Sequence, residues 1–511
     1  MPSLNHERAP LYEALLEYRE RNNRTFHVPG HKNGQVYEKE GQDTQQVRSV
    51  YEEQTVLRHL MALDVTEITG TDDLHQPTGV IREAQELAAD CFGAKETYFL
   101  VNGSTVGNLA LILACCTEPG DVLIVQRNVH KSILHGLMLA GAHAVFVTPQ
   151  LDAQSGLPTA PTVAAITEAL ERYPAARGVL LCSPNYYGMG VDLHAMAKAV
   201  HAQGKPLLID EAHGAHYGLH PDLPVSAIQC GADGVVQSTH KMLSSLTMSA
   251  MLHVQGDRLD RGLIQQRLAM LQSSSPSYPL MASLDVSRRW IHIQGADAFT
   301  RGLEAVDWFR SNMKLLPNFT LLTSPSQGEE EAAYVTLDPF KVTVSDRTGQ
   351  YSGYELQEML EELGCVPEMS DVRHVVFVFS LGSTMEDAKA LFHALEQIYQ
   401  RNMEARDSQI PSCENHTEIL SNTSMLVSEP IPFRLQPLAA NAWDTVPLEQ
   451  AVHRQVAEMV IPYPPGIPLL YPGEYITEEM IRTLQQLSQQ GAKCQGVYDS
   501  TLKTLRVLRN E

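Results

Sequence analysis

From residue 97 to about residue 240, short and almost unbroken apolar runs alternate with amphipathic stretches, and this pattern limits the chain more than any other feature. TYFLVN reads as a strand and TVGNLALILACC as a helix, DVLIVQR as a strand and SILHGLMLAG as a helix, AVFVTP as a strand and residues 161–173 as a helix. GVLLCSP, HAMAKAVHAQG, PLLID and GVVQST continue the series as strand, helix, strand and strand. A strand that is apolar on both faces must be covered on both, so the runs predict a largely parallel sheet between layers of helix. In such α/β sheets ligands bind where strands end and loops begin.

A second, smaller α/β pattern follows in AAYVTLD, YELQEMLEELG, RHVVFVFSLG and TMEDAKALFHALEQIYQ. The expected organisation is an N-terminal arm over residues 1–75 with a helix near 8–22, a large domain over 76–305 and a small α/β domain over 306–405. A polar linker at 406–430 and a C-terminal domain at 431–511 complete it. No internal repeat of fixed period interrupts this division.

The 511 residues carry 43% hydrophobic side chains, enough for a sizeable core. Sixty acidic against 38 basic residues leave a net charge of −22, a field that repels phosphate backbones and anionic membranes. Neither a nucleic-acid nor a membrane partner is expected. The eight cysteines are scattered, with Cys115 and Cys116 adjacent and no C-x-x-C, so the chain reads as reduced and cytoplasmic. The opening MPSLNHERAP has no apolar run, so no signal peptide is expected, and LALILACC is too short to span a bilayer.

The candidate chemistry begins with Lys241, in QSTHKMLSSLTMSA, a lone lysine among small hydroxyl and apolar residues. Most such lysines are solvated surface charges. A buried amine, however, tends to lose its proton and becomes a nucleophile toward an aldehyde. A pyridoxal phosphate site needs such a lysine, and also a phosphate cradle, a support for the ring and a partner for the pyridine nitrogen. Each has a candidate at a strand end. VNGSTVGN turns from strand into helix at Gly103, where Ser104 and Thr105 can donate to phosphate; the competing reading is an ordinary helix cap. His130, in RNVHKS, can stack on a ring, although a lone histidine there is more often a surface residue. Asp210 ends LLID and can hold a protonated ring nitrogen, with His213 three residues on. Ser238 and His240 flank Lys241 and can add phosphate contacts.

Two rivals fare worse. His213, His216 and His220 with Asp210 resemble a metal set, but glycines interrupt any helix that would align them, so no metal is expected. DEAH also occurs in helicase ATPases, but the required phosphate-binding loop is missing here.

On the motifs FHVPGHKNG, DVTEITGTDDLHQPTG, FGAKETYFLVNGSTVGN, RNVHKS, SPNYYG, IDEAHGAH, STHKMLSSLTMSA and PPGIPLLYPGE, the chain resembles the bacterial ornithine/lysine/arginine decarboxylases. These are pyridoxal-phosphate enzymes of the aspartate aminotransferase fold, fold type I. The motifs span residues 26 to 475 with gaps. The resemblance implies Ser104, Thr105, Ser238 and His240 at the phosphate, His130 on the ring, Asp210 at the pyridine nitrogen, His213 beside it and Lys241 covalently bound to the cofactor. It also implies that Glu474, in PGE, meets the distal cation of a basic amino acid. The implied reaction is decarboxylation of arginine, lysine or ornithine to the amine and carbon dioxide, in polyamine metabolism. The inducible members carry a large N-terminal wing domain that builds decamers; only about 75 residues precede the sheet here. The resemblance is therefore to the short form, with a homodimer or a dimer of dimers as the expected assembly. An aminotransferase of the same fold is the alternative. A non-catalytic paralogue would be expected to lack Lys241 or Asp210, and both are present. Spacing assigns no role to His31 or Lys32 in FHVPGHKNG.

Overall fold

The computed structural model describes residues 4–21, 24, 27–29, 31–33, 57–325, 332–405, 426–439, 441–462, 467–489 and 493–509. The apolar runs form strands where expected: β1 (Glu96–Leu100), β2 (Val122–Gln126), β3 (His143–Val147), β4 (Val179–Cys182), the short β5 (Met189–Gly190), β6 (Leu207–Asp210) and β7 (Gly234–Gln237). β8 (Ala250–Val254), buried at every position, was not foreseen as a strand. β9 (Phe319–Leu321), β10 (Thr336–Leu337), β11 (Lys341–Asp346), β12 (Met369–Ser370), β13 (His374–Val378) and β14 (Ile431–Pro432) follow.

The large sheet has eight strands in the order β1-β8-β7-β6-β4-β2-β3-β14. β3, β2, β4, β6 and β7 are mutually parallel; β14 pairs antiparallel at one edge, while at the other β8 runs antiparallel to β7 and β1, antiparallel to β8, resumes the common direction. The registers set Cys182 opposite Asp210 and Asp210 opposite Val236, so the carboxyl ends of β4, β6 and β7 line up at one rim. The helix Gly103–Cys115 lies close against this sheet because residue 107 is glycine. A Cβ there would come within 2.8 Å of a Val236 methyl and 2.9 Å of a Leu100 methyl. The close approach brings the next residue, Asn108, to the rim.

The small domain is a four-stranded antiparallel sheet, β12-β13-β11-β9, rather than a continuation of the parallel pattern. AAYVTLD yields only β10, which pairs with β5 outside that sheet. Leu426 and Ser428 hydrogen-bond to Thr148 and Phe146 at the edge of the large sheet, so chain read as the end of a linker is docked there. A separate apolar cluster, including Val456, Leu470, Leu484 and Val507, forms the core of the C-terminal part.

The helix Pro10–Glu20 is held to the large domain by a fully buried ion pair. Asp285 accepts from the amides of Leu11 (3.0 Å) and Tyr12 (3.4 Å) and pairs with Arg288 at 2.6 Å. Arg288 in turn donates to the carbonyls of His6 (3.1 Å) and Arg8 (2.7 Å). Removing one partner strands a buried charge. Asp285→Ala is therefore expected to cost about 3–5 kcal/mol in chemical denaturation; a loss under about 1 kcal/mol would show that the pair does not anchor the helix.

Candidate active site

The rim of β4, β6 and β7 collects most of the residues singled out by the sequence. Asp210 is the last residue of β6 and is buried. One carboxylate oxygen accepts from the Asn108 side-chain amide at 2.8 Å and the other from the Ala212 amide at 3.1 Å. Burial pushes its pKa up, and the nearby Lys241 charge and these two donors pull it down, with burial prevailing. Asn108 also donates to Ser132 Oγ at 3.1 Å, and Ser132 Oγ lies 2.9 Å from His130 Nδ1. His130 caps the helix Lys131–Ala140, accepting from the Ser132 amide. Its pKa is pushed down to about 4, first by burial and then by the charge of Lys241. His130, Asp210 and Lys241 therefore share one pocket.

Lys241 sits in a single helical turn, Thr239–Met242, directly after β7. Its Nζ lies 3.0 Å from His213 Nε2 and 5.9 Å from the centre of the Tyr186 ring. Burial lowers its pKa, against the pull of Asp210. Burial also drives His213 well below its ordinary value, helped by Lys341 and Lys241. Lys341, at the start of β11 in the small domain, is buried, and its Nζ lies 3.0 Å from His213 Nδ1.

The phosphate candidates frame the same place. Gly103 adopts φ +72°, a left-handed turn that opens the helix start, and its amide donates to the Met248 carbonyl at 2.9 Å. The Ser104–Thr105 turn is thereby tied to the loop after Lys241, with Ser104 half-buried and Thr105 exposed. His240 uses Nδ1 on the Ser249 carbonyl at 2.9 Å. Ser238 is fully buried, yet its hydroxyl has no hydrogen-bond partner among the described residues. Buried polar groups are rarely left so. A hydroxyl awaiting an acceptor beside a buried amine, with an acid on the adjacent strand, suits a phosphorylated aldehyde cofactor.

Glu474 meets the chain just beyond the carboxyl end of β2. Its carboxylate takes a 2.5 Å ion pair from Arg127, three residues before His130, and accepts from the Tyr471 amide at 3.2 Å. Arg127 also donates to the Leu469 carbonyl at 3.2 Å and lies 4.7 Å from the Tyr471 ring centre. No contact brings Glu474 to Lys241. The metal set does not assemble either: His216 faces Asp338 at 3.0 Å and His220 faces Asp222 at 3.8 Å. In FHVPGHKNG, Lys32 donates to the His27 carbonyl at 2.8 Å and His31 meets Asp64 at 3.2 Å; Phe26, Gly30 and Gly34 lie outside the described residues.

Asn108, Arg127 and Lys341 are absent from the sequence-based list. Asn108 had a signal, since it stands one turn beyond Ser104 on the same helix. Lys341 had none, because its position depends on the docking of the small domain.

Residues 9–387 match the model of the Orn/Lys/Arg decarboxylase major domain, and residues 430–501 that of the Orn/Lys/Arg decarboxylase C-terminal domain. The chain is 38% identical to the uncharacterized Bacillus subtilis protein YaaO, over 95% of this chain and 96% of that one. It is 33% identical to the arginine decarboxylase of Bacillus subtilis, over 99% of each chain. It is 27% identical to the lysine decarboxylase LdcA of Pseudomonas aeruginosa, over 92% of this chain and 74% of that one. Among solved structures, the lysine decarboxylase LdcF of Francisella novicida superposes with a TM-score of 0.79 at 19% identity, covering 98% of this chain and 81% of that one.

Proposed function

The chain belongs to the Orn/Lys/Arg decarboxylase family, and from that premise we propose that it decarboxylates a basic amino acid with pyridoxal phosphate. Arginine is the first substrate to test, because the arginine decarboxylase relative is matched along its whole length. The observation that carries the reading is the convergence of Lys241, Asp210 and the unpartnered Ser238 hydroxyl at one rim of the large sheet.

In this proposal Ser104, Thr105, Ser238 and His240 bind the phosphate, His130 supports the ring face, and Asp210 keeps a proton on the ring nitrogen. Lys241 would be the residue that holds the cofactor's aldehyde. When bound, the cofactor supplies a sink for the electron pair left at Cα as carbon dioxide departs. Binding must hold the scissile bond perpendicular to the ring, a task of positioning. Of the two candidate proton donors to Cα, Lys241 is favoured over His213, whose pKa is held well below its ordinary value, chiefly by burial. A substrate cation that reaches Glu474 would share that carboxylate with Arg127, so Glu474 would discriminate less sharply than a free acid.

Assembly and location rest on the resemblance: at least a homodimer, in the cytoplasm, serving polyamine synthesis. The seven described cysteines are all free, which supports a reducing compartment. Among the described residues no helix is long and apolar enough to cross a membrane.

The test is incubation of the cofactor-loaded chain with arginine, lysine and ornithine in turn. The expected result is release of carbon dioxide and the matching amine in equal amounts from at least one of them. Formation of a keto acid without carbon dioxide would replace this reading with that of an aminotransferase.

A further inference from the structure

His213 stands in line between two lysines, with Lys241 Nζ 3.0 Å from Nε2 and Lys341 Nζ 3.0 Å from Nδ1. Proton counting limits what this row can hold. A neutral imidazole has one N–H and one lone pair, and an ammonium has donors only. If both lysines were ammonium, one contact would set N–H against N–H. If His213 were cationic, both lysines would have to be free amines. The three groups together therefore carry at most one excess proton.

We propose that Lys341 is a positioning residue that stores the proton Lys241 must lose, passed between them through His213. In one state the Lys241 ammonium donates to Nε2, and Nδ1–H donates to the free amine of Lys341. In the other, Lys241 gives its proton to Nε2 while the Nδ1 proton moves to Lys341. Lys241 is then a free amine accepting from Nε2–H, and the Lys341 ammonium donates to Nδ1. Total charge and proton number are the same in both states; the ammonium moves from one lysine to the other and the tautomer of His213 changes with it.

The surroundings make both ends usable. Lys241 faces the charges of Asp210 and Glu368 and the thiol of Cys182. Lys341 faces Asp338 and Glu368, and burial holds it down to about 8, in a range where an amine can both take and give a proton. His130 and His240 add positive charge only when protonated; both are held below their ordinary values, chiefly by burial. Tyr186, 4.7 Å from the His213 ring centre, packs beside the row.

The inference rests on the reading of Lys241 as the cofactor lysine, and its test separates the two. The full chain, stripped of any carbonyl cofactor, is mixed with pyridoxal phosphate across a pH series. The adduct is reduced, and labelled Lys241 is counted by peptide mass spectrometry. Lys341→Met removes both the competing charge and the proton store. The labelling midpoint should then rise by about one pH unit, a tenfold loss of free amine at a given pH. Lys341→Arg keeps a charge that cannot take up a proton, so Nε2–H always faces Lys241, and the midpoint should stay at or below that of the natural chain. A merely structural role would move both variants the same way. Lys341→Gln, a second neutral variant, repeats the upward shift if the methionine variant folds poorly. Unchanged midpoints in the neutral variants, or shifts of one sign in all of them, overturn the relay. Absence of label on Lys241 in the natural chain overturns the cofactor-lysine reading instead.

Discussion

Asp210→Asn is expected to lower kcat by about a thousandfold or more while leaving a folded chain. The carboxylate is the negative charge proposed for the ring nitrogen, and its effect is largest inside a dry site. A pre-placed charge of this kind contributes about 3–4 kcal/mol to a transition state that develops the opposite charge, hence the thousandfold figure. Part of the expected damage is structural and can be separated. Asp210 accepts two hydrogen bonds, from Asn108 and from the Ala212 amide, one on each oxygen. An asparagine has one acceptor oxygen, so one of the two donors loses its partner at a cost of about 1–3 kcal/mol. Asn108→Asp alone would set two acids face to face, whereas combined with Asp210→Asn it would restore the side-chain pair with donor and acceptor exchanged but no acid at position 210. Asn108→Ser should lose a smaller part of the activity. Measured against amine release, unchanged turnover in Asp210→Asn at normal cofactor occupancy would contradict the assignment of Asp210 to the ring nitrogen.

How much of this was legible without coordinates depends on whether local pattern or long-range docking decides each feature. The parallel strands β2, β3, β4, β6 and β7 are legible because burial on both faces makes each a run of apolar residues. Lys241, Asp210 and His130 are legible because each stands at the end of such a run, where the fold class exposes residues to a ligand. β8 is not, since AMLHV follows the lysine loop with no turn signal to separate them. The small domain reads as α/β from its alternating runs, but that pattern leaves strand direction open, and all its pairings are antiparallel. β11 carries KVTVSD, whose lysine looks like an edge charge; only docking against IDEAHGAH buries it on His213. Glu474 shows the converse. Its motif is distinctive, but the motif cannot reveal that Arg127, almost 350 positions earlier, already claims the carboxylate.

Lys241→Ala is the variant expected to lose the most, about a hundred-thousandfold in turnover, with loss of the covalent cofactor complex. The size follows from the two tasks the proposal gives one atom: Nζ would attach to the aldehyde and later protonate Cα, so removing it would remove both. Folding should respond differently. Because burial lowers the pKa of Lys241 in the fold, the unfolded chain binds that proton more strongly than the native one below lysine's ordinary range. The buried amine therefore costs stability at neutral pH. This cost is greatest below the folded pKa and vanishes once pH passes the unfolded value near about 10.4. Lys241→Met, which keeps most of the volume, should melt at or above the temperature of the cofactor-free natural chain at neutral pH, and the gain should shrink toward alkaline pH. Added cofactor should raise the melting temperature of the natural chain much more than that of either variant, because only the natural chain can hold it covalently. A methionine variant that melted far below the natural chain at neutral pH, or an alanine variant that kept a tenth of the turnover, would mean that Lys241 is an ordinary packed lysine and that the reactive amine lies elsewhere.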